Sequence, residues 1–362
     1  MRLRSSIVLV LAAALSACGG GGGSPTQPAT PAPTPLPGPA WNEVAPLRQA
    51  AASAHKRVGA ALFSSALASE PLYAATAARH FNDVTAEWEM KWDPVQKTRG
   101  QFDFAAGDRV ADFAAANGMQ VKGHALLWHA ATPPWVEALS PAELREAVQE
   151  HIRTVAGHYR VRVRDWDVVN EAIDDGTNGL RSTVFSRGLG PDYIAEAFRW
   201  ARQADPDAEL IYNDYSGEGL NAKSNAIYAL VKDLKERRVP IDGVGLQMHI
   251  SAAGFPPLAD IAANIRRLGA LGLKVTISEM DVRIRDLPGD ASARFERQRQ
   301  VYHDVVAVCV LDPACEAVTL WGFTDAHTWV DGFFGADDPL PFDVQYRAKP
   351  AFFGIEDAYL GR

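Results

Sequence analysis

The sequence predicts an α/β protein whose main domain is a single (β/α)8, or TIM, barrel. Segments typical of strands and helices alternate between residues 40 and 362, with no internal repeat and no second linker. Most of the strand-like segments are short apolar runs, as in buried parallel sheets. A length of about 320 residues also suits one large barrel. The alternative is an open doubly wound sheet, but no glycine-rich phosphate-binding motif follows the first predicted strand.

The predicted barrel begins with a strand near residue 57 and ends with one near residue 321. In order, strands are predicted over residues 57–61, 83–85, 120–127, 167–170, 209–213, 243–248, 274–278 and 317–321. Helical patterns lie between most of them. The clearest helix begins with a capping box formed by Ser140 and Glu143, with Pro141 at the first helical position. Apolar spacing predicts two further helices over residues 193–204 and 258–268.

The first 39 residues predict export and attachment rather than folding. Arg2 and Arg4 precede an apolar run over residues 7–15, which is typical of a signal peptide and too short to span a bilayer. The run leads to Cys18 in a pattern that resembles a bacterial lipobox. This resemblance implies cleavage after residue 17 and a lipid on the cysteine. An ordinary signal peptide with an incidental cysteine is the alternative.

The segment that starts at Cys18 predicts a flexible tether. Residues 18–39 are mostly Gly, Pro, Thr and Ser, and such a segment cannot bury enough apolar surface to fold. We therefore expect a signal peptide over residues 1–17, a tether over 18–39 and the barrel over 40–362. The protein is expected to be exported and held in the bacterial cell envelope, at the outer membrane or cell surface. The lipid is expected to be its only contact with the membrane.

Composition argues against one class of partner. The net charge is −8 and there is no long basic run, so we expect no nucleic-acid partner. If Cys18 is lipidated, two cysteines remain, Cys309 and Cys315. Two close cysteines in an exported chain predict one disulfide that closes a small loop. We expect a monomer without a cofactor.

Two short strings carry the functional signal. Residues 166–171 and 276–281 are apolar, β-branched runs that end in carboxylates. A buried strand has no structural reason to end in an unpaired glutamate, because desolvating a carboxylate is costly. Either Glu171 or Glu279 alone could be a salt-bridge partner. Both together, on the fourth and seventh strands of one barrel, are the minimum equipment for cleaving a glycosidic bond.

The neighbours of these glutamates predict different roles for them. His249 is expected to bridge Glu279 and Asp281, which would keep Glu279 ionised and suit it to act as the nucleophile. Glu171 follows a hydrophobic strand and has no evident cationic neighbour. Burial should therefore raise its pKa and suit it to act first as an acid and then as a base.

Other polar and aromatic side chains concentrate at the same ends of the predicted strands, where barrel active sites lie. The opposite strand ends carry no such concentration. The residues at the loaded ends are Glu87, Lys91, His124, Trp128, His129, Asn170, Asn213, Asp214, Tyr215, Gln247, Trp321 and Asp325. The tryptophans, with Trp329, are interpreted as platforms for sugar rings, although each alone could be a core residue. The histidines lack metal-ligand spacing, so we expect no metal.

Together these motifs resemble glycoside hydrolase family 10, the retaining endo-β-1,4-xylanases. The resemblance runs from about Leu47 to Tyr359, and its order and spacing are specific although each motif is weak. The matching strings are residues 84–87, 90–92, 124–129, 166–171, 212–215, 247–249, 279–281, 321–325, 341–343 and 349–351. The resemblance implies hydrolysis of β-1,4-linked xylose polysaccharides or oligosaccharides by double displacement. It implies Glu171 as acid/base and Glu279 as nucleophile.

The resemblance also implies which residues bind substrate. Those that would line the subsite of the attacked sugar are Lys91, His124, Trp128, Asn170, Gln247, His249, Trp321 and Trp329. Asn170 would bond the 2-hydroxyl of that sugar, and Tyr215 would lie on the leaving-group side. Glu87 would contact the next sugar toward the non-reducing end, and Trp88 and His129 are also expected to bind substrate. Cys309 and Cys315 lie where the family often has a disulfide.

Two departures from the family pattern concern the subsite beyond the attacked sugar. Trp88 stands where the family usually has Asn, and Ala131 stands where it often has Gln. These changes remove two amides that could form hydrogen bonds and add the bulk of an indole. The alternative to a xylanase is therefore a related retaining β-glycosidase with a shifted substrate. A non-catalytic glycan-binding lipoprotein is disfavoured because both glutamates are present.

Overall fold

Eight parallel strands close into a barrel in the computed structural model, which describes residues 38–362. Each strand pairs with the next, and the last pairs with both the seventh and the first. The strands are β1 (Arg57–Leu62), β2 (Asp83–Ala86), β3 (Gln120–Gly123), β4 (Asp165–Asn170), β5 (Glu209–Asp214), β6 (Gly243–Leu246), β7 (Lys274–Arg283) and β8 (Cys315–Leu320). The predicted (β/α)8 barrel is confirmed. The predicted signal peptide, Cys18 and most of the predicted tether lie outside the described residues.

Helices lie between all successive strands, one helix precedes β1, and two follow β8. They are α1 (Leu47–Ser53), α2 (Ser64–Ser69), α3 (Pro71–His80), α4 (Trp92–Val95), α5 (Ala105–Ala116), α6 (Pro141–His158), α7 (Val184–Leu189), α8 (Tyr193–Ala204), α9 (Ala222–Glu236), α10 (Leu258–Gly269), α11 (Ala291–Leu311), α12 (Val330–Phe334) and α13 (Pro350–Leu360). Two 3₁₀ helices, His129–Ala131 and Pro134–Ala138, follow β3. Within residues 38–362, no helix has both the length and the apolar composition needed to cross a bilayer.

Helix α6 begins as the sequence predicts. The Ser140 hydroxyl accepts a hydrogen bond from the Glu143 amide, and the Glu143 carboxylate accepts one from the Ser140 amide. This reciprocal pair satisfies two amides that the first helical turn leaves without partners. Helix α8 has the predicted bounds, and α10 extends one residue beyond its prediction. The predicted disulfide between Cys309 and Cys315 is present, at the junction of α11 and β8.

Most predicted strand bounds lie within two residues of the observed ones, but two strands end four or five residues away from the predicted position. β7 continues to Arg283 instead of ending at Ser278, because a short strand, His249–Ser251, pairs with residues 281–283. Glu279 therefore lies inside a strand. The third strand ends at Gly123, and the chain pairs with β4 again only at Leu127–Trp128. A side chain at Gly123 would meet the Trp166 ring, since its Cβ would lie 2.2 Å from that ring.

Paired charges occupy the amino-terminal end of the barrel, where the sequence predicted no concentration of such residues. The members of this base network are Arg57, Asp83, Arg164, Asp165, Glu209, Lys274 and Glu316. Arg57 contacts Asp83 on the neighbouring strand, and Lys274 Nζ lies 2.6 Å from Glu209 and 2.9 Å from Glu316. The prediction was wrong because these residues are scattered in sequence, and only closure of the barrel brings them together. The base network ties strand starts to one another.

Candidate active site

A cleft of about 630 Å³ opens at the carboxyl end of the barrel. Its walls come from the segments that end or follow several strands, as in other enzymes of this architecture. The lining residues are Lys91, His124, Trp128, Ala130, Asn170, Glu171, Tyr215, Ser216, Gln247, His249, Glu279, Arg283, Trp321, Trp329, Phe333 and Phe334. The cleft thus brings both predicted glutamates together with the predicted tryptophans.

Glu171 follows β4 and holds its carboxylate between two nitrogen donors. Trp128 Nε1 donates to Glu171 Oε2 at 2.8 Å, and Gln247 Nε2 donates to Oε1 at 3.1 Å. Burial raises the pKa of Glu171, and these two hydrogen bonds oppose the rise because they favour the ionised form. The net pKa is above its ordinary value, which suits a proton donor.

One expectation about Glu171 was wrong, because it does have a cationic neighbour. Arg181 folds back from ten residues along the chain, and its Nε donates to the Glu171 backbone carbonyl at 3.0 Å. The positive charge of Arg181 lowers the pKa of Glu171 but does not overcome burial. No local pattern in the sequence marks this contact, because it depends on the fold of the loop that follows β4.

Glu279 has the opposite electrostatic character. Burial alone would raise its pKa, but His124, His249 and Lys122 together lower it to about 2. His249 Nε2 lies 3.1 Å from Glu279 Oε2, and His124 Nδ1 lies 3.9 Å from Oε1. Burial lowers the pKa of His124 from its ordinary value, and the hydrogen bond with Asp167 opposes this effect. His249 is the nearer of the two rings to the Glu279 carboxylate.

His249 is held by a carboxylate on each side. Its Nδ1 lies 2.6 Å from Asp281 Oδ2, and its Nε2 faces Glu279, so it bridges these two residues. Burial opposes protonation of the ring, but Asp281 and Glu279 raise the pKa of His249 to about 10. Trp329 Nε1 also donates to Asp281 Oδ2, at 2.8 Å. Glu279 therefore faces an imidazolium whose orientation is fixed from behind.

Asn213 connects the surroundings of the two glutamates, a contact the sequence did not predict. Its Nδ2 donates to Glu279 Oε1 at 2.6 Å and to Asn170 Oδ1 at 2.8 Å. Asn213 lies on β5 and Glu279 on β7, so the amide must reach across β6. Gly245 makes this possible, because a Cβ there would lie 2.1 Å from Asn213 Oδ1. Contacts between strands depend on register, which local patterns do not reveal.

Glu218, a buried glutamate that the sequence did not single out, fixes the backbone beside Gln247 and His249. Glu218 Oε1 accepts hydrogen bonds from the amides of Ser216 at 3.0 Å and Met248 at 3.2 Å. Both of these residues have left-handed backbones, with φ of 56° and 67°, which are unfavourable for non-glycine residues. Glu218 therefore stabilises two strained strand ends that present cleft residues.

Lys91 lies between aromatic rings and acids. Its Nζ is 4.6 Å from the ring centroid of Trp128 and 5.7 Å from that of Trp321. Burial lowers the pKa of Lys91, while the charges of Glu279, Glu87 and Glu171 partly restore it. The ammonium therefore adds a hydrogen-bond donor to a wall made largely of indoles.

Three residues predicted to bind substrate do not line the cleft. Glu87 is buried, and burial is the main cause that raises its pKa to about 8, with Lys91 opposing. Trp88 is 42% exposed, with Lys91 Nζ 4.9 Å from its ring centroid. His129 begins a 3₁₀ helix, and Ala131 at the end of that helix is only 3% exposed. Of the two departures from the family pattern, Trp88 is therefore exposed to solvent and Ala131 is enclosed.

Tyr215 lines the cleft and is fixed by charged partners. Its hydroxyl contacts Asp175 and accepts a hydrogen bond from Arg181 Nη2 at 3.1 Å. Lys223 Nζ lies 3.5 Å from the Tyr215 ring centroid and 2.7 Å from Asp175. This cluster holds the Tyr215 side chain in one wall of the cleft.

One group of buried side chains has the spacing of metal ligands. One ligand atom from each of His124, Asp167 and Glu279 lies within 4.8 Å of the others. However, His124 Nδ1 is 2.8 Å from Asp167 Oδ2, and Glu279 is bonded to Asn213 and His249. These atoms satisfy one another within the protein. The expectation of no metal stays a prediction.

Comparisons with known proteins agree with this geometry. The family model for glycosyl hydrolase family 10 matches residues 46–358. Endo-1,4-beta-xylanase B of Thermotoga neapolitana is 42% identical over 288 residues, covering 79% of this chain and 82% of that protein. The structure of native xylanase 10B from Thermotoga maritima has a TM-score of 0.84 at 40% identity, covering 87% of this chain and 98% of that one. Xylanase 10B from Thermotoga petrophila RKU-1 in complex with xylobiose has a TM-score of 0.84 at 39% identity, covering 88% and 98%. The chain belongs to glycosyl hydrolase family 10.

Proposed function

We propose that the protein is a retaining endo-β-1,4-xylanase that cleaves xylan by double displacement. The observation that carries this proposal is the contrast between two buried carboxyls in one cleft. The pKa of Glu171 is raised, mainly by burial, whereas the pKa of Glu279 is lowered to about 2 against the effect of burial. One group that holds a proton and one that stays ionised are what a retaining glycosidase requires.

The reaction divides into two steps. In the first, Glu279 attacks the anomeric carbon while Glu171 donates its proton to the leaving glycosidic oxygen. In the second, ionised Glu171 takes a proton from water, and the resulting oxygen nucleophile releases the sugar from Glu279. His249, oriented by Asp281, keeps Glu279 ionised before attack. Asn170 Oδ1 accepts hydrogen bonds from Gln247 and Asn213, the residues that also bond Glu171 and Glu279. The Asn170 side chain therefore lies between the two glutamates, where its amide can bond the 2-hydroxyl.

The choice of xylan as substrate rests on relatives. Proteins about 40% identical to this chain are named endo-1,4-beta-xylanases, and one similar structure holds xylobiose. The cleft itself supports a sugar polymer, because indole rings on its walls offer flat surfaces to the C–H faces of sugar rings.

The stereochemistry of the product tests the mechanism. We expect the first product released from a linear β-1,4-xylo-oligosaccharide to be the β-anomer, because two displacements restore the configuration. Proton NMR in the first minutes, before mutarotation, measures this directly. An α-anomer as first product would contradict Glu279 as nucleophile. Absence of hydrolysis of linear xylan would contradict the xylanase proposal itself.

The pH profile tests the role of Glu171. Glu171 must be protonated for the first step, so kcat/KM should fall as pH rises through its pKa. Trp128→Phe removes the N–H that favours the ionised form, so the pKa should rise and the alkaline limb should move to higher pH. Trp329→Phe is the control, because this indole bonds Asp281 rather than Glu171. An alkaline limb that stays in place in Trp128→Phe would contradict Glu171 as the acid.

A second candidate, a retaining β-glycosidase with a shifted substrate, is favoured by the position of Trp88. This indole is 42% exposed beside Lys91, where it could stack on a ring but reads hydroxyl groups poorly. Ala131 is enclosed, so nothing polar from that position reaches a ligand. Relative rates on linear xylan, arabinoxylan and β-glucan separate the two candidates, since only the shifted enzyme should prefer a polymer other than linear xylan.

We further propose that the protein is exported as a monomer and anchored to the cell envelope through a lipid on Cys18. The support is the sequence of the first 39 residues, which resembles a lipoprotein signal followed by a flexible tether. An anchored enzyme would act on polymer fragments close to the cell.

A further inference from the structure

We propose that Arg283, Phe333 and Phe334 form a lateral subsite for an acidic sugar substituent, a uronic acid branch on the xylan chain. This acidic-branch subsite rests on the proposed function, because it names a substituent of the same substrate. All three residues line the cleft. None of them was singled out by the sequence, and none takes part in the two displacement steps.

The subsite lies at a defined distance from the reaction centre. Arg283 ends β7 four residues after Glu279, which corresponds to about 13 Å along an extended strand. Its guanidinium carbon lies 3.7 Å from the ring centroid of Phe334, so the cation rests on an aromatic face. Phe333 beside it is 75% exposed. A branch could therefore bind here while the main chain lies between Glu171 and Glu279.

The charge of Arg283 is not used within the described part of the chain. Among residues 38–362, no acidic side chain forms an ion pair with Arg283, and its Nε is shielded from solvent without a hydrogen-bond partner. Other cations near the cleft are matched, since Arg181 pairs with Asp175 and Lys91 lies among glutamates. An arginine with free donors in a cleft is suited to a planar carboxylate, which it can bind through two parallel hydrogen bonds.

The aromatic part of the subsite is held in place by the catalytic network. The Trp329 ring lies 5.5 Å from Phe333 and 5.6 Å from Phe334, and its indole nitrogen is bonded to Asp281. Arg285 also donates to the backbone carbonyl of Phe334. Because these contacts fix the rings, little ordering is needed when a ligand binds.

Repulsion between the catalytic carboxylates and an acidic branch explains why a cation is needed at this subsite. The reaction centre carries the charges of Glu279 and, in the second step, of Glu171, and these repel an acidic branch. A cation at the end of β7, four residues beyond Glu279, compensates for this repulsion at one place along the cleft and not at others. The enzyme would therefore bind acidic xylan in a preferred register.

The test compares two polymers that differ only in charge. One is glucuronoxylan, and the other is the same polymer with its carboxyl groups reduced to alcohols. For Arg283→Gln, the ratio of kcat/KM on glucuronoxylan to that on the reduced polymer should fall by roughly 5- to 30-fold, the scale of one lost charge-assisted contact. Arg297→Gln is the matched control, because this arginine lies 5.7 Å from the Phe255 ring and outside the cleft. Its ratio should equal that of the wild type.

An unchanged ratio in Arg283→Gln would show that Arg283 only packs on Phe334 and would overturn the inference. If that variant does not fold, the salt dependence of the wild-type rate is the test. Added NaCl should lower the rate on glucuronoxylan more than the rate on the reduced polymer. Equal salt effects would overturn the inference.

The outcome is separable from that of the xylanase proposal. If the wild type cleaves neither polymer, the xylanase proposal fails, and calorimetric titration with a glucuronic-acid-substituted xylo-oligosaccharide then tests the subsite alone. Tighter binding than for the carboxyl-reduced oligosaccharide, lost in Arg283→Gln, supports the subsite, and equal binding of the two oligosaccharides contradicts it.

Discussion

Glu279→Gln is expected to lower kcat by at least about 10⁴-fold on every β-xyloside, because an amide cannot form the glycosyl-enzyme. The substitution keeps the size of the side chain and its hydrogen bond from Asn213. It removes the charge that His249 and its partner Asp281 are arranged to stabilise. The loss should therefore appear with good and poor leaving groups alike, measured as initial rates on aryl β-xylobiosides and on xylan.

The control for this variant is Glu146→Gln on the exposed side of α6. It changes the net charge by the same amount, but outside the cleft. It should have wild-type rates. Thermal unfolding of both variants shows whether either has lost structure. A Glu279→Gln enzyme within tenfold of wild-type activity would mean that this carboxylate is not the nucleophile.

Glu171→Ala should produce a different kind of loss. On xylan, whose leaving group needs a proton, kcat should fall by roughly 10²- to 10⁴-fold. On an aryl xylobioside with an acidic phenol, the glycosyl-enzyme should still form, and only its hydrolysis should be slow. Azide needs no general base, so its addition should restore turnover and yield a β-glycosyl azide.

The configuration of that azide product is the decisive measurement. Azide that enters after Glu279 has formed its ester attacks the same face that the leaving group left, so the β-configuration is kept. An α-glycosyl azide from Glu171→Ala would mean that Glu171 had been the nucleophile. Failure of azide to rescue any substrate would argue against an acid/base role.

The fold could be predicted largely because each element carries its own signal. The capping box that starts α6 and the apolar runs of β4 and β7 are local features, and the structure contains them. The strand ends were less predictable. β7 extends to Arg283 because the segment His249–Ser251 pairs with it, and that pairing depends on another part of the chain.

The site was predictable where chemistry is concentrated in short strings. Glu279 and Asp281 are two residues apart on one strand, so a histidine on the neighbouring segment could be expected to bridge them, and His249 lies between them. Asn213, by contrast, bonds Glu279 across β6 only because position 245 lacks a side chain. Glu218 and Arg283 are ordinary charged residues in sequence, and their surroundings arise only when the barrel closes.

The base network has a consequence for how this enzyme can change. Its ion pairs join strand starts at the end of the barrel opposite the cleft, and they involve none of the residues that line it. Substitutions more than about 10 Å apart usually act independently. Loops at the cleft end can therefore be lengthened, exchanged or diversified in libraries while the base network keeps the strands in register. Heat tolerance and substrate preference should evolve as separate traits in this protein.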